Sequence, residues 1–242
     1  MSKLIHGEMY RLFHKKSIYI YFIALALGYG FLAFVRSGGF TETSVVSDAL
    51  NFFSFFPALV GGILFSAIYT DDLQSKNLIT LVGFGIHKTT IVVAKLIMMA
   101  IFSTVIYAVA PLIHMGVYAM LGQAVTMSTV GMIYAVSLKY LLTTLGFAAL
   151  SAIVVYGLQR STFAIVLYIL LAFNVVSGLV GMFLNMFAPS LTAYLMSGIT
   201  DRVFTDTIAG TIPATGGLEY IVYIAVAVTL SILAFHKKEM EF

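Results

Sequence analysis

Residues 162–187 read TFAIVLYILLAFNVVSGLVGMFLNMF, and no Asp, Glu, Lys, Arg or His interrupts the run from Thr162 to Phe187. A helix that crosses a bilayer needs about 20 mostly apolar residues, so this segment is long enough to span a membrane by itself. Five more runs of the same kind lie along the chain, at about Ser17–Val35, Asn51–Tyr69, Thr89–Gly116, Lys139–Leu158 and Leu218–Phe235. Charges punctuate them. Lys15 and Lys16 precede the first, Asp71 and Asp72 close the second, Gln159-Arg160 ends the fourth, and His236-Lys237 stops the last. The whole composition agrees, with 61% hydrophobic and only 10% charged residues and a mean hydropathy of +1.03. A soluble domain carries roughly 25% charged residues to keep its surface wet. The expected fold is therefore all-α and polytopic, a single transmembrane domain over residues 1–242 with six spanning helices.

Cysteine is absent, which excludes disulfides and thiolate metal sites. Met1–Lys16 lacks the short apolar core and small-residue cleavage site of a signal peptide, so the first span is expected to stay in the mature chain. Six spans with the N-terminus inside put Lys3, Arg11, Lys15, Lys16, Lys76, Lys88, Lys95, Arg160, Lys237 and Lys238 on one side. Only Arg36, Arg202 and Lys139 fall on the other. The positive-inside bias then places both termini in the cytoplasm of a cell carrying this chain in its plasma membrane.

Two connecting segments are not simple spans. Gly122–Leu138 is apolar but holds Thr126, Ser128, Thr129 and Ser137. It would extend the fourth helix, re-enter the membrane, or lie along the interface. The cost of Lys139 deep in a span favours a short interfacial helix. The external connection Ala188–Gly217 repeats Leu191, Tyr194, Leu195, Ile199 and Val203 opposite Asp201 and Arg202, which predicts a short amphipathic helix at the outer interface.

The chemistry of catalysis is missing. No G-x-x-x-x-G-K-[ST], H-E-x-x-H or G-x-S-x-G occurs, so neither a catalytic residue nor a metal site is expected. The middles of the spans lack the acidic and basic residues that mark ion-coupled pathways. His114 is expected to be a hydrogen-bonded or interfacial histidine near the outer end of the third span, and Asn174 a helix-to-helix contact. Phe52, Phe53, Phe55 and Phe56 form an aromatic stripe before Pro57; it suits lipid anchoring, or Phe52, Phe53 and Phe56 together with Asn174 suit the lining of an apolar translocation path. No internal repeat supports an inverted-repeat transporter.

The informative segments face the cytoplasm. In residues 1–16, Leu4, Ile5, Met9, Leu12 and Phe13 form an apolar stripe opposite Glu8, Arg11, His14 and Lys15, as in a helix lying on the inner membrane surface. In residues 70–88, Asp71, Asp72 and Lys76 open a short helix whose Leu78, Ile79, Leu81 and Val82 two spans cannot easily cover, until Gly83 and Gly85 break it. An exposed apolar helix continuous with two spans suits docking of a soluble partner.

This order of parts resembles the permease subunit of a type-2 ABC exporter. The family pattern D-x-x-x-x-K-x-L-I-x-x-G-x-x-[RK]-x-x-x-x-x-x-K is similar to the run through Asp72, Lys76, Leu78, Ile79, Gly83 or Gly85, Lys88 and Lys95. Gly85-Ile-His-Lys departs from the turn commoner in the family. The resemblance implies an N-terminal elbow helix with Glu8, Arg11, Lys15 and Lys16. It implies an ATPase-coupling loop with Asp71, Asp72, Lys76, Asn77, Leu78, Ile79, His87 and Lys88. It further implies two separate ABC ATPase subunits that carry ATP and Mg, no cofactor on this chain, and a second permease copy, identical or similar. The compact form resembles bacterial peptide-export and bacteriocin-immunity permeases, implying an amphipathic peptide substrate, contact with membrane lipid and no nucleic acid. A drug or lipid exporter, or a non-transporting sensor or scaffold subunit, is the alternative.

Overall fold

The computed structural model describes residues 2–16, 19, 23, 26–27, 29–30, 42–74, 77–123 and 125–237, and these form helices and turns without a strand. Helix α1 is Ser2–Phe13. Helix α2 opens at Glu42–Phe53 and runs on through π-helical turns at Pro57–Gly61 and Ser66–Thr70 to Asp71–Gln74. Next come α3 (Asn77–Gly83), α4 (Lys88–Met120), α5 (Met127–Leu158), α6 (Ser161–Ala172) and α7 (Val175–Phe187). A 3-10 turn at Pro189–Tyr194 leads into α8 (Met196–Ile208), and α9 (Ala214–Lys237) ends the bundle.

Among the described residues, four helical stretches are long and apolar enough to cross a membrane: Val45–Leu73, Lys88–Met120, Met127–Leu158 and Ala214–Lys237. The pair α6 and α7 makes a fifth if counted as one broken span. The expected first span, Ser17–Val35, lies largely outside the described residues; its described positions Tyr19, Ile23, Ala26, Leu27, Tyr29 and Gly30 are helical.

Helix α5 sits at the centre, packed against α2, α4, α6, α8 and α9. Small residues make this possible. Gly146, Ala148, Ala149, Ser151 and Ala152 are all buried, and close helix approach in a membrane depends on such positions. The Met196 thioether fills the space that a Cβ on Gly146 would occupy, and the Tyr168 hydroxyl does the same at Gly61. Tyr168 also donates to the Pro57 carbonyl at 2.8 Å, so the π-helical turn that accommodates the proline is tied to α6.

Three sequence expectations change here. First, α5 begins at Met127, with Thr126 as its N-cap, so most of Gly122–Leu138 extends the fourth helix and is not a separate interfacial helix. Ser137 explains why: it faces α4 and donates to the Tyr107 carbonyl, a helix contact instead of a solvated position. Second, the run that looked most continuous is broken. Its two halves meet at 62°, with Asn174 in the left-handed region at φ 57°. Asn tolerates that conformation better than most residues, and here it makes a corner with its side chain exposed. Third, Phe53 and Phe56 are buried and Phe52 is half-buried, in a cluster with Tyr29, Tyr107 and His114. Of the stripe, Phe55 is the exposed ring.

Candidate functional site

The end of the bundle that carries α1 gathers charges from three elements. Glu8 and Arg11 stand one helical turn apart on α1 and pair at 2.7 Å. Asp72 lies in the last turn of α2, and Lys95 lies two turns into α4. The Lys95 ammonium reaches Glu8 at 2.8 Å and also pairs with Asp72, while Arg11 pairs with Asp72 from the other side. Asn77, opening α3, donates to Asp72 at 3.3 Å, and Arg11 reaches the Ala67 carbonyl at 3.4 Å. A separate pair joins Lys15 to Asp71. Tyr69 and Tyr156 lie at the base of the cluster, their rings 6.3 Å apart. The Tyr156 hydroxyl is buried there without a hydrogen-bond partner among the described residues.

Burial sets what this cluster does. Lys95 is 1% exposed, Asp72 0% and Glu8 6%. A buried charge without its partner is costly by several kcal/mol, so pairing draws the charged edge of α1 inward. The sequence suggested a helix lying on the inner membrane surface, its basic side toward anionic lipid head groups. Arg11 and Lys15 keep about a third of their side chains exposed, and His6, Tyr10, Phe13 and His14 face outward. Burial and the nearby Arg11 charge lower the Lys15 pKa, against an opposing pull from Asp72. Lys16 is exposed.

The loop that follows divides into buried and open positions. Leu78 is buried, Ile79 half-buried, and Leu81 and Val82 pack onto the core, so the apolar face expected to be uncovered is covered by the bundle. Lys76 lies outside the described residues. The exposed apolar residue is Phe84, 80% open, held between Gly83 and Gly85, where a φ of +77° turns the chain sharply. His87 is exposed beside it. Lys88, expected to face a partner, donates to the Phe235 carbonyl at 2.9 Å and lies over the Phe235 ring, while Thr89 contacts His236 at 3.3 Å. The start of α4 therefore clamps the end of α9.

A second polar centre lies deeper, where the His114 ring bridges the Tyr29 hydroxyl and the Val45 carbonyl, the latter at 3.0 Å. It is a buried, hydrogen-bonded histidine, as its sequence position suggested. Among the described residues no group of His, Asp and Glu could hold a metal ion.

The family described as ABC-2 family transporter protein matches residues 4–177, which take in α1, the charge cluster and the following loop. The chain belongs to the ABC-2 transporter family. No curated protein matches it. Membership makes this a multi-pass membrane transport subunit and implies partnership with ABC ATPase subunits. Within an ABC-2 protein, the cluster joins the N-terminal helix to the two helices that flank the loop. Sequence reasoning had marked Asp72 and Lys95 within one pattern; what it missed was their contact with each other and with Glu8. The signal was a lysine inside an otherwise apolar helix, a position that demands a buried acid.

Proposed function

We propose that this chain is the permease half of an ATP-driven exporter that docks its ATPase through the loop at 70–88. The observation that carries the reading is the charge cluster beside that loop. It fastens α1, α2, α3 and α4 into one block, so a push on the loop moves the block as a unit, while Phe84 and His87 remain open to a partner. In this reading Asp72, Asn77 and Leu78 stiffen the block, Ile79 lies at its edge, and Phe84 and His87 make the contact. Lys88 passes the motion to α9.

Six spans with cytoplasmic termini, an interfacial α1, two ATPase subunits with their ATP and Mg, and a second permease copy complete the proposal. The substrate is an amphipathic peptide, in keeping with spans that carry few fixed charges. The test is co-purification of the full chain with the cassette ATPase encoded nearest to its gene, followed by ATP hydrolysis with and without peptide. Phe84→Ala should abolish association. Association of Phe84→Ala as tight as that of the unaltered chain would sink the docking proposal. Peptide that leaves hydrolysis unchanged in an intact complex would favour a sensor or scaffold subunit.

A further inference from the structure

At the end opposite α1, Arg202 of α8 pairs with Glu219 of α9, and both side chains stay about one-third exposed (34% and 32%). The Arg202 guanidinium also lies over the Tyr194 ring, 5.4 Å from its centroid. From this pair a groove of about 490 Å³ runs along α9, lined by Leu150, Ile199, Leu218, Val222, Val226 and Leu230. The four α9 positions recur every fourth residue, so the groove follows the helix axis for about 18 Å. That length is close to one leaflet's share of a hydrocarbon core about 30 Å thick.

The depth agrees as well. From Glu219 to Lys237, α9 rises about 27 Å. Lys139 of α5 pairs with Asp201, the residue next to Arg202, at 2.6 Å. From Lys139 to Leu158, α5 rises about 29 Å. Both distances put the two ion pairs at one edge of the apolar layer and leave the groove inside it.

We infer that the groove binds a single zwitterionic phospholipid, with one of its two acyl chains along α9, its phosphate at Arg202 and its ammonium at Glu219. A guanidinium has five N–H donors, and one carboxylate leaves some of them free for a phosphate oxygen. The exposed part of the Glu219 carboxylate attracts an ammonium and repels a purely anionic head. Opposite charges side by side thus complement a head group that carries both signs. The volume falls within the roughly 300–1,000 Å³ of ordinary small-molecule sites. The inference uses no residue of α1, α2 or α3 and stands apart from the coupling proposal.

The experiment uses the full chain in nanodiscs of mixed phosphatidylethanolamine and phosphatidylglycerol, re-extracted in mild detergent and weighed by native mass spectrometry. The unaltered chain should retain phosphatidylethanolamine in preference to phosphatidylglycerol. Val226→Trp, which fills an exposed wall of the groove, should lower that retention about tenfold. Val222→Trp, one turn along, gives the same reading if the first variant folds poorly by circular dichroism. Arg202→Gln with Glu219→Gln should erase the preference between the two lipids while bound lipid persists. Equal retention of both lipids by the unaltered chain overturns the inference. So does retention unchanged by a folded tryptophan variant, or displacement of the lipid by an added amphipathic peptide, which would make the groove a cargo path.

Discussion

The two charged layers of the bundle use the same residue types in opposite states. At the α1 end, Lys95, Asp72 and Glu8 are buried and shared among three elements. At the other end, Lys139 pairs with Asp201, whose side chain is 57% exposed, and Arg202 pairs with Glu219 while both stay open. Buried pairs are rigid because separating them strands a charge, whereas open pairs exchange with water or head groups at little cost. The difference suits a block that transmits force at one end and a surface that can accept a ligand at the other.

The largest effect should come from Lys95→Met, which leaves Glu8 and Asp72 with Arg11 as their remaining cation in the cluster. A loss of about 3–5 kcal/mol is expected, seen as a collapse in recovered folded protein or in its melting temperature in detergent. Adding Glu8→Gln should restore part of that loss; a double variant no better than the single would mean the cluster is not one neutral unit.

Gly61→Ala separates packing from charge, since a Cβ there overlaps the Tyr168 hydroxyl and crowds Thr144. It should cost about 1–3 kcal/mol. Tyr168→Phe should relieve part of it, and a thermal melt of the three variants reads both effects. Asp201→Asn, at the open layer, should change stability by less than about 1 kcal/mol. A drop comparable to that of Lys95→Met would erase the contrast between the two layers. Phe84→Ala should be nearly silent, within about 0.5 kcal/mol in a melt, because the ring touches little of its own chain. Its effect belongs in ATPase association, so a large stability loss would show that the ring is a packing element.

Hydropathy alone reveals most of the spans, because an apolar run above a threshold length reports on its solvent whatever its neighbours do. It is blind to the corner at Asn174, since the flanking residues are equally apolar on both sides and the bend depends on one backbone torsion. It also leaves the packing of α1 open. The same periodicity fits a helix lying on lipid and one with its charged edge turned inward, and Leu12 and Glu8 are both buried. The loop is legible where glycine dictates geometry, at Gly83 and Gly85, and not at Leu78, whose cover comes from the rest of the bundle.

What residue order alone carried was local: helix type, membrane solvent, the glycine turn, and a lysine placed where only a partner makes it affordable. Which acids meet that lysine is a long-range matter. Glu8 and Asp72 lie far from Lys95 along the chain, and only the packing of α1, α2 and α4 decides the contact. The same holds for Lys88 and the end of α9. Pairing energy depends on distance and burial in three dimensions, and neither is a property of a sequence window.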